Sequence, residues 1–248
     1  MNKLVVFNWK ENPETLKKAS ELVEAVCGVA MQNNSAEVVI APPAVFLSDV
    51  AEKLHEKKSV VKLGAQDVSL FEGGAHTGEI SSQMLKNLGV SYCIVGHSER
   101  RAMGEDDETI LQKIKELFGA GIAPILCVGE SERVSQEDAW EFVQTQLQAV
   151  FPKTFNPQPS TLGFVVAYEP IWAIGGDKEV DLDHANFVIK KIKQFLYTNF
   201  RIQASVLYGG SVHTQNIEEV FSRDISGVLV GSASLREDDV EKIIASAR

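Results

Sequence analysis

Eight short runs rich in Val, Ile and Leu recur along the chain: KLVVFN, EVVIAPP, VVKLGAQ, YCIVGH, APILCVGE, FVVAYEP, SVLYGG and GVLVGS. Their apolar character is continuous rather than alternating, as expected of strands buried on both faces of a parallel sheet. Between them lie segments with apolar residues at helical spacing, including ETLKKASELVEAV, DDETILQKIKELF, DHANFVIKKIKQFL and EDDVEKIIASA. Strand followed by helix, eight times over, predicts an α/β fold closed into a (β/α)8 barrel, with an open doubly wound sheet as the alternative. No low-complexity tract, long linker or shift in composition divides the chain, so residues 1–248 read as one domain. FPKTFNPQPS, residues 151–160, is the most loop-like piece and joins a helix to the next strand.

A barrel carries its reacting groups on the loops that follow the strands. The first strand ends in Asn8 and Lys10, the third in Gln66, the fourth in His97, Ser98 and Glu99, the fifth in Glu130 and the sixth in Glu169. The seventh ends in Gly209, Gly210 and Ser211, and the eighth in Gly231 and Ser232. An acid, an imidazole and an amine therefore meet at one mouth. Glycine-rich turns that open helices present free backbone N–H groups to an anion, and YGGS and VGSASL on adjacent strands are such turns. Each taken alone reads equally well as a tight turn.

A lone glutamate is by default a solvated loop acid, yet Glu169 is followed by the apolar tongue Pro170, Ile171, Trp172, Ala173 and Ile174, then Gly175 and Gly176. A tongue folded over a ligand expels water and raises the basicity of the carboxylate beside it, with the two glycines as its second hinge. His97 alone would read as a satisfied core histidine and Lys10 as a solvated lysine; their strand-end positions favour the mouth. Glu99 is the natural ion-pair partner for a lysine there. GEDDET, residues 104–109, places acid in the first turn of a helix.

Composition narrows the function. A formal net charge of −10 opposes nucleic acid and anionic membranes, so a phosphate site has to be built locally. No stretch approaches the ~18 consecutive apolar residues of a membrane span, and the first apolar run is too short for a signal peptide. Cys27, Cys93 and Cys127 are widely separated thiols, and His55, His76, His184 and His213 lack metal-ligand spacing, so no metal is expected. No Walker or GxGxxG pattern follows a strand. A soluble, cytoplasmic protein is the expectation.

The segments NWK, GAQDVS, TGEIS, IVGHSERR, PILCVGE, AYEPIWAIG, LYGGSV and GVLVGSASL, in this order, resemble the triosephosphate isomerase family along essentially the whole chain. The resemblance implies a TIM barrel that interconverts dihydroxyacetone phosphate and glyceraldehyde 3-phosphate through an enediolate, in glycolysis and gluconeogenesis, without a cofactor. It implies Glu169 as the base, His97 as a neutral electrophile and proton shuttle, and Lys10 and Asn8 as stabilisers of negative charge, with Glu99 paired to Lys10. Backbone N–H groups of Gly175, Ser211, Gly231 and Ser232 would hold the phosphate, in turns shaped by Gly209 and Gly210. Tyr168, Glu130, Tyr208 and Ser211 would latch the lid formed by residues 170–176. It also implies a homodimer through the loop from Gln66 to Glu79, with Thr77 buttressing the partner's Asn8 and His97.

This chain departs from the family pattern at Asp177, where the lid usually carries glycine, at Glu11 and His76, which stand at the expected interface, and at Ser232. Glu11 and His76 are expected to face each other across that interface. Two rival readings remain from the residues alone: another sugar-phosphate isomerase or aldolase on the same barrel, and a catalytically silent barrel that binds a metabolite or a partner.

Overall fold

The computed structural model describes residues 2–33, 35–151, 163–174 and 181–247. The strands are β1 (Lys3–Asn8), β2 (Ala36–Ala41), β3 (Lys62–Ala65), β4 (Val90–Val95), β5 (Ala123–Val128), β6 (Val165–Tyr168), β7 (Ser205–Tyr208) and β8 (Gly227–Val230). They pair in sequence order, all parallel, and β1 pairs with β8 to close the barrel. The helices among the described residues are α1 (Leu16–Gln32), α2 (Leu47–Glu56), α3 (Ser82–Asn87), α4 (Ser98–Ala102), α5 (Asp107–Ala120), α6 (Gln136–Val150), α7 (Leu182–Phe200), α8 (Ile217–Ser222) and α9 (Glu237–Ser246). The closed barrel excludes the open doubly wound sheet. FPKTFNPQPS lies, beyond Phe151, outside the described residues.

The runs that look uniformly apolar in sequence divide by parity in space. Leu4 and Val6, Val39 and Ala41, Ile125 and Cys127, Val165 and Ala167, Leu207 and Leu229 fill the barrel interior as one cluster. Their neighbours Val5 and Phe7, Val38 and Ile40, Leu126 and Val128, Val166 and Tyr168, Val206 and Tyr208 pack outward in a second cluster shared with the helices. Both faces of every strand are thus covered, so continuous hydrophobicity stands in for alternation. On α5, Ile110, Ile114 and Leu117 bury the inner stripe; Asp106 caps its start through Thr109 N, and Gly121 ends it at φ 71°. The acidic first turn expected from GEDDET is there, as Asp107 and Glu108.

Continuing the inward parity to the end of β1 and one residue past β5, β6, β7 and β8 reaches Asn8, Gly129, Glu169, Gly209 and Gly231. Two polar side chains and three glycines form this last layer. A Cβ on Gly129 would lie 1.8 Å from the Glu169 carbonyl oxygen, and one on Gly209 would lie 2.9 Å from Glu169 Cγ. The glycines clear the space that the acid occupies.

Candidate active site

The mouth at the C-terminal ends of the strands holds a cavity of about 860 Å³. Its lining includes Asn8, Lys10, His97, Glu169, Gly209, Gly210, Ser211, Gly231 and Ser232, so residues from five strand ends converge there.

Glu169 directly follows β6 and is 3% exposed. Its backbone N–H donates to Val128 O at 2.8 Å, which continues the β5–β6 ladder by one residue and fixes the direction of the side chain. Oε2 accepts from the Ser98 N–H at 3.3 Å, and Oε1 lies 3.2 Å from His97 Nε2. Burial pushes the carboxyl pKa above its ordinary value, while His97, the Ser98 N–H, Lys10 and Cys127 pull it back. The result is a carboxylate made more basic than one in water but still offered partners for its charged form.

His97 is the N-cap of α4, and its Nδ1 accepts from the Glu99 N–H at 3.2 Å. A ring nitrogen that accepts from an amide carries no proton, so this contact assigns the proton of a neutral imidazole to Nε2, on the side facing Glu169 and the cavity. An N–H donor thus points to where substrate oxygens would lie.

Lys10 adopts φ +53°, a left-handed conformation that non-glycine residues rarely take. Three hydrogen bonds hold it there: Asn8 Oδ1 accepts from its N–H at 3.0 Å, Gln66 Nε2 donates to its carbonyl at 2.9 Å, and its Nζ donates to Glu99 Oε1 at 2.6 Å. Gln66 Nε2 also donates to the Ala41 carbonyl at 2.9 Å. One amide side chain just past β3 therefore ties the loop after β1 to the end of β2.

The two glycine-rich turns have their carbonyls occupied from behind. Asn216 Nδ2 donates to the Ser211 carbonyl at 2.8 Å, while Asn216 Oδ1 accepts from the His213 N–H at 3.0 Å. Ser234 Oγ donates to the Gly231 carbonyl at 2.6 Å. The short helical turn Ser232–Leu235 begins directly at the cavity wall. The sequence marks Gln66 only as a strand-end residue and a loop boundary, and it marks no bracing role for Asn216 or Ser234. Their partners are side-chain amides and hydroxyls to backbone, which leave no periodic signature.

Tyr168 Oη donates to Glu130 at 2.9 and 3.1 Å, and Trp172 Nε1 donates to Glu130 Oε1 at 2.7 Å. Pro170 precedes the helical turn Ile171–Ala173, which ends at Ile174. Gly175, Gly176 and Asp177 lie outside the described residues. Thr77 is exposed and does not line the cavity; in its loop the Phe71 and His76 rings stack at 3.6 Å and 4°. The His76 ring is thus engaged within its own loop, and its expected encounter with Glu11 is a matter for the assembled protein.

A closed parallel barrel with polar groups gathered at the strand C-termini defines a (β/α)8 enzyme. The triosephosphate isomerase family model matches residues 3–247, and the chain belongs to that family. The triosephosphate isomerase of Hahella chejuensis is 40% identical over 252 positions, covering 99% of this chain and 98% of that protein. The triosephosphate isomerase of a Thermoanaerobacter species is 39% identical, covering 97% and 98%. A crystal structure of triosephosphate isomerase from Bartonella henselae superposes with a TM-score of 0.84 at 28% identity, covering 99% of each chain.

Proposed function

We infer that the chain is an isomerase that interconverts dihydroxyacetone phosphate and D-glyceraldehyde 3-phosphate, the glycolytic reaction of its family, and that the mouth described above carries it out. The observation that carries this assignment is the buried Glu169 carboxylate at 3.2 Å from a histidine Nε2. Glu169 takes the pro-enediolate proton from one carbon and returns it to the next. His97 Nε2–H polarises the carbonyl oxygen and moves protons between the two oxygens. Lys10 Nζ and Asn8 sit on the same wall and offset the negative charge that develops there. Glu99, ion-paired to Lys10, holds the ammonium in place.

The phosphate is bound by backbone N–H groups of Ser211, Gly231 and Ser232, in turns shaped by Gly209 and Gly210; the expected contribution of Gly175 lies outside the described residues. Residues from Pro170 onward act as a lid over the bound substrate, with Trp172 as its described anchor. No metal or organic cofactor takes part in this scheme. We further propose that residues 1–248 act as one catalytic domain in the cytoplasm, without nucleic-acid or membrane partners, and that the protein is a homodimer through the loop from Gln66 to Glu79, with Thr77 beside the partner's mouth. Supporting the dimer, Phe71 within that loop is an exposed apolar side chain. No helix among the described residues is long and apolar enough to cross a membrane.

The test is a coupled assay of glyceraldehyde 3-phosphate conversion with the parent protein, Glu169→Asp and Glu169→Gln. General-base catalysis contributes about 10²–10⁴-fold, and that loss is expected in the Gln variant, with Asp intermediate. An inactive parent protein would favour the silent barrel, and a fully active Gln variant would remove Glu169 from its role.

A further inference from the structure

Glu130, after β5, keeps a carboxylate that is 2% exposed and receives two neutral donors, Tyr168 Oη and Trp172 Nε1. A third polar group faces it. His184, in the first turn of α7, is 5% exposed and places Nε2 3.6 Å from Glu130 Oε1. That nitrogen is buried and has no hydrogen-bond partner among the described residues. The imidazole is nevertheless held: its backbone N–H donates to the capping Asp181 Oδ1 at 3.0 Å, and its ring meets Trp172 edge-on at 5.9 Å and 84°. The Arg133 guanidinium lies 5.3 Å from the Trp172 ring and 4.0 Å from Asp181, while Asp183 pairs with Arg223.

We propose that His184 is a positioning residue for the segment that follows Glu169, serving as the replacement donor for Glu130 when Trp172 lets go. This rests on reading Pro170–Ile174 as part of a lid. A buried carboxylate resists losing a donor, because the vacated lone pair cannot turn to water. Tyr168 Oη already shares its one proton between Oε1 and Oε2, at 2.9 and 3.1 Å, so Trp172 cannot leave without vacating a lone pair on Oε1. His184 Nε2 stands beside that same oxygen, and an approach of under about 1 Å brings an N–H there into hydrogen-bond range. The exchange keeps Glu130 satisfied in both positions of Trp172, so the two positions become closer in free energy. Without the imidazole donor, Trp172 stays pinned.

The experiment uses the full chain labelled with 5-fluorotryptophan, in which Trp9, Trp140 and Trp172 give separate ¹⁹F signals and Trp172→Phe assigns the third. The wild type, His184→Gln and His184→Leu are titrated with 2-phosphoglycolate, a carboxylate-bearing phosphate ester of the substrate's size, and kcat and KM are measured in parallel. The Trp172 signal of the wild type is expected to shift with ligand. The Gln variant, whose amide can donate, should follow it. The Leu variant should show a smaller shift and a kcat lower by about 2- to 10-fold, the range one hydrogen bond spans, with the Trp140 signal, remote from the cavity, unchanged. A Leu variant that responds like the wild type overturns the proposal, as does a Gln variant as impaired as Leu, which would mean the ring acts by packing alone. A wild-type Trp172 signal indifferent to ligand instead overturns the lid reading on which the proposal stands.

Discussion

Replacing Gly209 by alanine adds one methyl group to the innermost layer of the mouth. The new Cβ would stand 2.9 Å from Glu169 Cγ, 3.4 Å from the Tyr168 carbonyl oxygen and 3.5 Å from Glu169 Oε1. Carbon atoms in contact settle at about 3.5–4.0 Å, so the Glu169 side chain has to retreat by roughly 0.6–1.1 Å. It cannot retreat freely, because its backbone is tied to Val128 and its carboxylate to Ser98 N and His97. A displacement of about 1 Å at a reacting group costs up to on the order of 10²-fold, and kcat of Gly209→Ala is expected to fall by about 10- to 100-fold.

The backbone N–H of residue 209, bonded to Tyr168 O at 2.8 Å, survives the change, so the turn keeps its shape. Inhibition by inorganic phosphate should therefore stay within about threefold of the parent, because uniform binding is untouched while a transition-state contact is lost. Overpacking by one methyl costs about 1–3 kcal/mol, visible as a melting temperature lower by about 2–4 °C per kcal/mol. The assay is steady-state kinetics with a phosphate inhibition series beside a thermal melt. A kcat within about twofold of the parent refutes the crowding argument. So does a loss shared equally by phosphate affinity, since that would locate the damage in the turn.

Three further outcomes follow from the same geometry. The pKa of Glu169 is raised by folding, so the native state holds its proton more tightly than the unfolded chain does; stability falls as pH rises from the ordinary value of 4.5 through the raised one. Glu169→Gln should accordingly melt higher than the parent at pH 7 and converge with it below 4.5, each kcal/mol appearing as about 2–4 °C, and the acid limb of kcat/KM should lie above 4.5. A Gln variant with the same melting temperature as the parent at pH 7 would contradict this. Gln66→Leu removes donors from the Lys10 and Ala41 carbonyls, each loss worth about 1–3 kcal/mol if left unpaired, and should lower both the melting temperature and kcat/KM, the latter about tenfold; an unchanged kcat/KM would detach Gln66 from Lys10. Thr77→Arg, placed at the proposed interface, should convert the sedimenting species from dimer to monomer and reduce kcat by 10-fold or more, on the order of a 1 Å misplacement; an active monomer would oppose the interface.

Much of this was legible in the chain because the signals were dense. Eight apolar runs with helical segments between them fix strand number and order, and residues at the ends of five of them, the first, fourth, sixth, seventh and eighth, line the cavity. Parity extends beyond the strands themselves. Counting by twos from Val165 and Ala167 reaches Glu169, and from Leu207 reaches Gly209, which already places glycine beside acid in the last inward layer. The bracing contacts were not legible. Gln66 reaches Lys10 across 56 positions, and Trp172 reaches Glu130 across 42; only closure of the barrel brings such pairs together. Asn216 and Ser234 act on carbonyls close in sequence, but a polar residue in a turn has many local partners and sequence does not choose among them.

The energetics of the mouth explain why glycine and polar contacts have to appear together around Glu169. A base for carbon acids has to be strong, which burial supplies by removing water from the carboxylate. It also has to be ionised at neutral pH, which burial alone opposes. Gly129 and Gly209 let neighbouring strand ends close on Glu169 and bury it, while the Ser98 N–H and His97 Nε2 restore partners to the charged form. Lys10 follows the same logic, since a left-handed conformation costing about 1–3 kcal/mol persists where Asn8 and Gln66 bind both sides of its backbone. Each unfavourable feature thus sits beside the residues that hold it. Replacing a holder should therefore leave the barrel folded and cost rate first, whereas replacing the acid itself should cost the rate while stabilising the fold.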